Sequence, residues 1–398
     1  HSLTFTHTHT HSLTSTHLHS LTVTHSHSYS HSLILTPHLL TLTYTISTSL
    51  SLCPFVLFSE LIPSTRFFFM SGTSHGLVNN NELKIGLGLP QKSIFDVLDE
   101  VDIDWRVYAE TVPSVLGLRR IRTPESLEKM RPMEEFWGDI KEEKLQPFTW
   151  LEPSYWGIPE LDIVPRDQHP EHPVEYGEEL IKKVYENIRQ SAYWNCSALI
   201  VTYDEHGGFA DFYPMQTENV PPPDGKVSKN PPFNFDRLGL RVPFIIASPW
   251  VDPQVVHTPD PSVCPAPNSQ FSHSSLAATI QSLYDPNGEP LTNRTAWSAP
   301  FDYVWRQRSS PRTDAPWELP PVYQTSFYKN KPRNPSANLP MNSLQIELLE
   351  IARQLCLDNQ HSCRLPIPSM EDFSKMTEAQ GGLFAVKVMD ALRSKSHA

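Results

Sequence analysis

The tetrapeptide Ala198-Leu199-Ile200-Val201 runs directly into Thr202-Tyr203-Asp204-Glu205-His206-Gly207-Gly208-Phe209. An apolar, β-branched run that ends in two carboxylates, an imidazole and a glycine pair reads as a buried strand opening into a loop. No other stretch constrains the fold as strongly. Acids at the carboxyl end of a central strand in an α/β sheet sit where such sheets place their ligands. Two hard oxygen ligands, a His and a permissive backbone can hold a cation or shape a phosphate pocket. The chemistry this stretch suggests is that of a phosphate-ester enzyme.

The surrounding pattern supports a layered α/β sheet covered on both faces. Residues 177–193 read as an amphipathic helix, with Leu180, Ile181, Val184, Tyr185 and Ile188 at helical spacing. Residues 93–100 read as a helix with a capping box from Ser93 to Asp96. Residues 104–108, 148–151 and 241–248 read as strands, and 67–70 (Phe-Phe-Phe-Met) as a further one. Residues 124–144 are charged and helical, 274–284 form a helix, and 342–357 form a terminal amphipathic helix. The Pro-rich insertion 221–232 is too long and stiff for a hairpin turn.

A length of 398 residues allows one large domain or two ordinary ones. The net charge of -12 argues against nucleic acid as a partner. A local patch could still meet a membrane headgroup. Five cysteines without a CxxC spacing give neither a disulfide framework nor a thiolate zinc site, although Cys356 and Cys363 are close enough in sequence to pair.

The first 59 residues contain no Asp, Glu, Lys or Arg and ten of the 18 histidines, in an otherwise Ser-, Thr- and Leu-rich tract. The low-complexity reading, a segment with no core of its own, outweighs a His-rich metal tract. Codons for His, Ser, Thr and Leu can all be built from C, A and T, and the first methionine is Met70. The expectation is therefore translated repeat or intron sequence joined to a real coding region. The apolar run 50–61 is too short to span a bilayer. With no basic residues before it, it also makes a poor signal peptide. The expected organisation is a low-complexity segment 1–64, a catalytic domain 65–320 and a C-terminal helical extension 321–398. The compartment expected is cytosolic or the membrane periphery.

Phosphate-ester cleavage needs a nucleophile, neutralisation of charge on the equatorial oxygens and a proton for the leaving group. Thr73, between Gly72 and Ser74, is a candidate nucleophile, with a plain Gly-Thr-Ser turn as the alternative. Asp204 and Glu205 can share one site only if the strand has already given way to loop. The segment Asp167-Gln168-His169-Pro170-Glu171-His172-Pro173 is a second polar cluster, held extended by its prolines. His273 stands at a helix start, where backbone amides can hold phosphate.

Taken together, these stretches resemble the phosphoesterase family that contains bacterial phospholipase C and the plant non-specific phospholipases C, with some acid phosphatases as relatives. The resemblance rests on Met70 to Gly76, Ser93-Ile94-Phe95-Asp96, Asp167 to Pro170, Thr202 to Phe209 and Arg237 to Pro243. Ser248 to Val251, His273-Ser274-Ser275 and Ser310 to Asp314 extend it, so that it covers roughly Arg66 to Pro320.

It implies an alkaline-phosphatase-like, three-layer α/β/α sandwich and hydrolysis of phospholipids to diacylglycerol and a phosphorylated headgroup. It implies Thr73 as a nucleophile forming a phospho-enzyme. His169 and His273 become site histidines, with His206 and His75 as further candidates. Asp204 and Glu205 become an acidic pair for phosphate or a divalent metal ion of unspecified identity. The partners implied are a phospholipid or other phosphate ester and a peripheral membrane contact.

Two departures stand out. The family's opening Glu-Asn-Arg-Ser-Phe-Asp-His type motif has no counterpart, so the first strand region is expected to be missing and the chain N-terminally incomplete. Phe212 stands where the family usually has a His, a loss worth about two to three orders of magnitude in rate if that imidazole serves the phosphate. The alternatives to a phospholipase are an acid phosphomonoesterase of the same family and an inactive lipid- or phosphate-binding remnant.

Overall fold

The computed structural model describes residues 6–7, 19–25, 29–36, 39–44, 55–60, 63–79, 82–208, 211–323 and 333–393, the first 64 by backbone alone. The chain divides into two compact units, His1–Cys53 and Pro54–Ala398. In the first unit, strands β1 (Thr6–His7), β2 (His19–His25), β3 (Tyr29–Thr36) and β4 (Leu39–Tyr44) pair antiparallel in sequence order. Thr-rich sequence in which apolar and polar residues often alternate suits a pleated backbone.

The second unit is built on a six-stranded sheet. Its strands are β5 (Phe55–Glu60), β6 (Trp105–Ala109), β7 (Met130–Pro132), β8 (Phe148–Glu152), β9 (Ala198–Tyr203) and β12 (Phe244–Ala247), in the order β12-β9-β5-β8-β6-β7. All neighbours are parallel except β12, which runs antiparallel to β9 with Phe244 opposite Thr202. Two short strands, β10 (Ser228–Lys229) and β11 (Pro232–Phe233), form a separate antiparallel pair at the end of the Pro-rich insertion.

The sheet corrects one expectation. A first strand is not missing: β5 occupies the middle of the sheet, between β8 and β9, and comes from the tract set aside as low-complexity. Phe-Val-Leu-Phe is long enough and apolar enough for a central strand, although it is far too short for a membrane. The rest of the run 50–61 lies outside the described residues.

The helices of this unit are α1 (Pro63–Ser71), α2 (Glu82–Leu87), α3 (Ile94–Glu100), α4 (Pro124–Glu128), α5 (Met133–Lys141), α6 (Val174–Gln190), α7 (Ser274–Tyr284), α8 (Asn293–Trp297), α9 (Ser343–Asp358), α10 (Met370–Phe373) and α11 (Glu378–Arg393). The capping box at Ser93 and Asp96 forms as read, α7 and α9 match their sequence patterns, and α6 begins and ends three residues earlier than the stretch 177–193.

Two readings fail. Residues 67–70 are helix, not strand: three consecutive phenylalanines carry no period, and Pro63, with its fixed φ, opens a helix. Residues 124–144 are not one helix. Pro132 cannot donate within a helix and pushes Arg131 toward extended backbone, so β7 separates α4 from α5.

Neighbouring residues along the strands enter two different cores. Trp105, Val107, Trp150 and Ile200 join a cluster with Phe67 and Phe69 of α1, Phe95 of α3, Ile280 of α7, Leu348 of α9 and Val388 of α11. Tyr108, Leu151, Leu199 and Val201 join another with Phe136 of α5 and Leu180, Val184 and Ile188 of α6. The helices beyond residue 320 therefore bury their apolar faces in the main core, and Cys356 and Cys363 close a disulfide at the end of α9 with Cα atoms 5.1 Å apart. Among the described residues no helix is long and apolar enough to cross a membrane.

Gly72 ends α1 at a φ of +71°, and a Cβ added there would lie 2.5 Å from Thr295 Cγ2. Both the left-handed backbone and the close approach of α8 demand glycine. Gly72→Ala is expected to destabilise the protein by about 1–3 kcal/mol, read as a lower urea midpoint at unchanged slope. An unchanged midpoint would contradict this account of the turn.

Candidate active site

The carboxyl end of β9 delivers Asp204 into a fully buried position. Its partner is Arg66, on α1 and equally buried, whose Nε donates to Asp204 Oδ2 at 3.2 Å. The same guanidinium donates through Nη1 to the Tyr155 hydroxyl at 2.6 Å and lies 3.5 Å from Glu152 Oε2. Tyr155 in turn donates to Glu152 at 3.1 Å. Glu152, at the carboxyl end of β8, also accepts from the Ser114 amide and hydroxyl and from Trp150 Nε1.

Glu152 is thus well supplied with donors, while Asp204 Oδ1 has none. Burial accordingly pushes the Asp204 carboxyl well above its usual range, with Arg66 opposing and Glu205 adding to the rise. One guanidinium faces two carboxylates, and the poorly solvated carboxylate carries the cost.

His273, at the start of α7, places Nε2 2.7 Å from the Asp204 carbonyl oxygen and stacks on Phe69 with ring centroids 4.1 Å apart. Burial lowers its pKa to about 4, against the smaller opposing effect of that carbonyl. The ring is neutral at pH 7 and donates Nε2–H, which leaves Nδ1 as an acceptor.

Thr73 lies two residues beyond the end of α1 and is buried. Its hydroxyl donates to Asp224 Oδ2 at 2.9 Å and accepts the His75 amide at 2.9 Å. Its carbonyl accepts from Ser71 Oγ and Gln91 Nε2. His75 Nδ1 lies 3.7 Å from the same Asp224 oxygen. Asp224 belongs to the Pro-rich insertion, and nothing in its local sequence marks it as a site residue. Only the fold brings it to Thr73.

The remaining candidates occupy separate groups. His206 is partly exposed and accepts the Gly208 amide at Nδ1, with Glu205 Oε2 3.4 Å away. Gly207 and Gly208 both have positive φ, which closes this small ring. His169 faces Glu171, and its carbonyl accepts the His172 amide. The loop that carries it meets β9 through the Tyr203 hydroxyl and Gln168.

Among the described residues, no hydrogen bond or ion pair joins Thr73 to Asp204. The two are linked through α1, which holds Arg66 and Phe69 and ends beside Thr73. Asp211 forms a two-pronged pair with Arg241 at 2.8 and 2.8 Å, and Phe212 is 94% exposed. Position 212 therefore stands on the surface rather than against Thr73 or Asp204. Phe209 and Ala210 lie outside the described residues.

A divalent metal at Asp204 and Glu205 does not suit this arrangement. A guanidinium already occupies Asp204 Oδ2, Glu205 turns to His206, and no group of three His, Cys, Asp or Glu residues among the described residues is placed to hold a metal ion. A hard cation would need several oxygen ligands together.

His172, in the same polar segment as His169, sits buried between two carboxylates. Nδ1 is 2.6 Å from Asp167 Oδ1, and Nε2 is 3.5 Å from Glu378 Oε2 on α11. Burial opposes the charge, but the two acids outweigh it and raise the pKa to about 10.

This fold is an α/β scaffold with polar residues at the carboxyl ends of parallel strands. The chain is a member of the phosphoesterase family, whose model matches residues 36–285 and so begins well before Arg66. It is 37% identical over 325 residues to non-specific phospholipase C1 of Arabidopsis thaliana, covering 80% of this chain and 58% of that protein. To non-specific phospholipase C4 of the same plant it is 39% identical over 258 residues, 64% of this chain and 46% of the relative. Phospholipase C B of Mycobacterium tuberculosis is 26% identical over 229 residues, 50% and 39% respectively. The chain spans about half the length of the curated relatives it matches.

Two measurements probe the buried charges. Arg66→Met leaves Asp204 and Glu152 buried without their cation and is expected to cost about 3–5 kcal/mol in urea unfolding; a loss below about 1 kcal/mol would refute the central role of the charge.

The His172 pKa is raised on folding, so its stabilisation is full below about 6.5 and declines as pH rises through about 10. Glu378→Gln removes one of the two acids and should move that decline to lower pH in a series of thermal midpoints. Superimposable profiles would show that Glu378 does not hold the imidazolium.

Proposed function

We propose that the chain is a phospholipase C-type phosphoesterase. It would hydrolyse the phosphodiester of a phospholipid to diacylglycerol and a phosphorylated headgroup, through a phospho-enzyme on Thr73. The observation that carries this reading is the Thr73 hydroxyl, immobilised between a carboxylate and a backbone amide on a turn that gives it no freedom. The relatives' names, non-specific phospholipase C and phospholipase C, supply the substrate class.

The two cores on the sheet support the three-layer, alkaline-phosphatase-like arrangement. In this reading Arg66 keeps the end of β9 and α1 in fixed relation. His273 is a neutral hydrogen-bonding group beside Asp204, and His169 and His206 stand on neighbouring loops in groups of their own. Docking at the membrane periphery would bring the lipid headgroup to this end of the sheet. No step is routed through a metal ion.

The assay uses the purified chain with phosphatidylcholine and, in parallel, p-nitrophenyl phosphate. Diacylglycerol should appear, and Thr73→Ala should abolish it by on the order of a thousandfold or more. Nitrophenol release without diacylglycerol would replace the lipase by a phosphomonoesterase. Lipid binding without turnover of either compound would replace it by an inactive binding protein.

A further inference from the structure

Thr73 and Asp224 are 151 residues apart in sequence, and three hydrogen bonds to their neighbouring residues bring them together. All three come from one short element, α8, and its N-cap. The Thr292 hydroxyl donates to the Gly72 carbonyl at 3.3 Å, on the Thr73 side. On the Asp224 side, the Asn293 amide donates to the Pro223 carbonyl at 2.9 Å, and Arg294 Nε donates to the Pro221 carbonyl at 2.8 Å. The Asp224 carboxylate is oriented by the Lys226 amide, which donates to Oδ1 at 3.0 Å and leaves Oδ2 for the threonine. This contact is built by the fold and is not a chance meeting of surface side chains.

The geometry at Thr73 Oγ1 is that of a nucleophile prepared for attack. Its proton points at a carboxylate oxygen, and one lone pair accepts the His75 amide. Among the described residues no donor occupies the second lone pair. His75 reaches this position with a φ of +54°, a left-handed conformation uncommon for a non-glycine residue. Such strain persists only where the surroundings enforce it, and it gathers at functional sites. The His75 ring faces the same carboxylate, and burial, partly offset by Asp224, lowers its pKa and so favours the neutral form.

We propose that Asp224 is the general base that activates Thr73, a role that rests on the phospho-enzyme reading of the site. In the first step the hydroxyl proton passes from Oγ1 to Asp224 Oδ2. The Oγ1–P bond forms while the bond from phosphorus to the glyceride oxygen breaks, and that oxygen takes a proton from solvent water. In the second step water attacks the phosphothreonine and the P–Oγ1 bond breaks. Oγ1 recovers its proton from Asp224, and the attacking water returns one proton to solvent. Charge and protons balance over the cycle with no other co-reactant.

Asp224 is partly exposed on a loop, so its substitutions should leave the fold intact, checked by an unchanged thermal midpoint. Asp224→Asn is expected to lower kcat on phosphatidylcholine by about 10²–10⁴-fold with KM nearly unchanged. Asp224→Ala should regain turnover as formate is added, while Thr73→Ala should not. Loss of activity in Thr73→Ala together with full activity in Asp224→Asn would overturn the base and spare the phospho-enzyme; full activity in Thr73→Ala would overturn the phospho-enzyme itself.

A second readout does not require lipid turnover. Labelling of Thr73 by diisopropyl fluorophosphate, followed by peptide mass, releases fluoride and hands the proton to Asp224. Asp224→Asn should slow it by a similar factor. Equal labelling rates, or no label on Thr73 in the wild-type protein, would refute the assignment.

Discussion

The buried guanidinium of Arg66 is the charge on which the second unit depends. It stands on α1 and reaches the carboxyl ends of two parallel strands, meeting Asp204 after β9 and Glu152 at the end of β8. Tyr155 completes the group by accepting from the arginine and donating to the glutamate. Two carboxylates and one cation removed from water are costly unless each is closely partnered. Glu152 meets that condition, and Asp204 only half does. The imbalance falls on the residue at the tip of the strand that presents the candidate site.

The same contacts hold the turn beyond α1 in place. A helix that cannot shift without breaking the Arg66 contacts gives a rigid base to the turn at Gly72. Thr73 is therefore located by a charge network it does not touch. The opposite wall comes from the Pro-rich insertion, pinned through backbone carbonyls to α8. Prolines restrict the chain, and carbonyl hydrogen bonds set its position, so Asp224 arrives with little freedom left to lose. Positioning of this kind can account for several kcal/mol of a reaction barrier.

Much of this was legible in the sequence where pattern and period agreed. The capping box at Ser93, the apolar stripe from Leu180 to Ile188 and the buried run before Asp204 each specify an element through local forces. The triple phenylalanine reads as a strand because side-chain type is its only signal, and a run without alternation fits either state. β5 is hidden in a tract whose composition argues against structure; it is recognisable only by pairing with β8 and β9. The break at Met130–Pro132 turns on a single proline.

The candidate site divides in the same way. Asp204, Thr73 and His273 could be named in advance, because each follows or opens a recognisable element or belongs to a family motif. Their grouping could not. Only the tertiary structure assigned Arg66 to Asp204, Asp224 to Thr73 and Glu378 to His172, pairs separated by 138, 151 and more than 200 residues. Local sequence determines which segments become strands and helices, because period, capping and proline act over a few residues. Which charge faces which is decided by the order of strands in the sheet and the packing of helices on it, since burial makes an unpaired charge too costly to leave where the chain alone would put it.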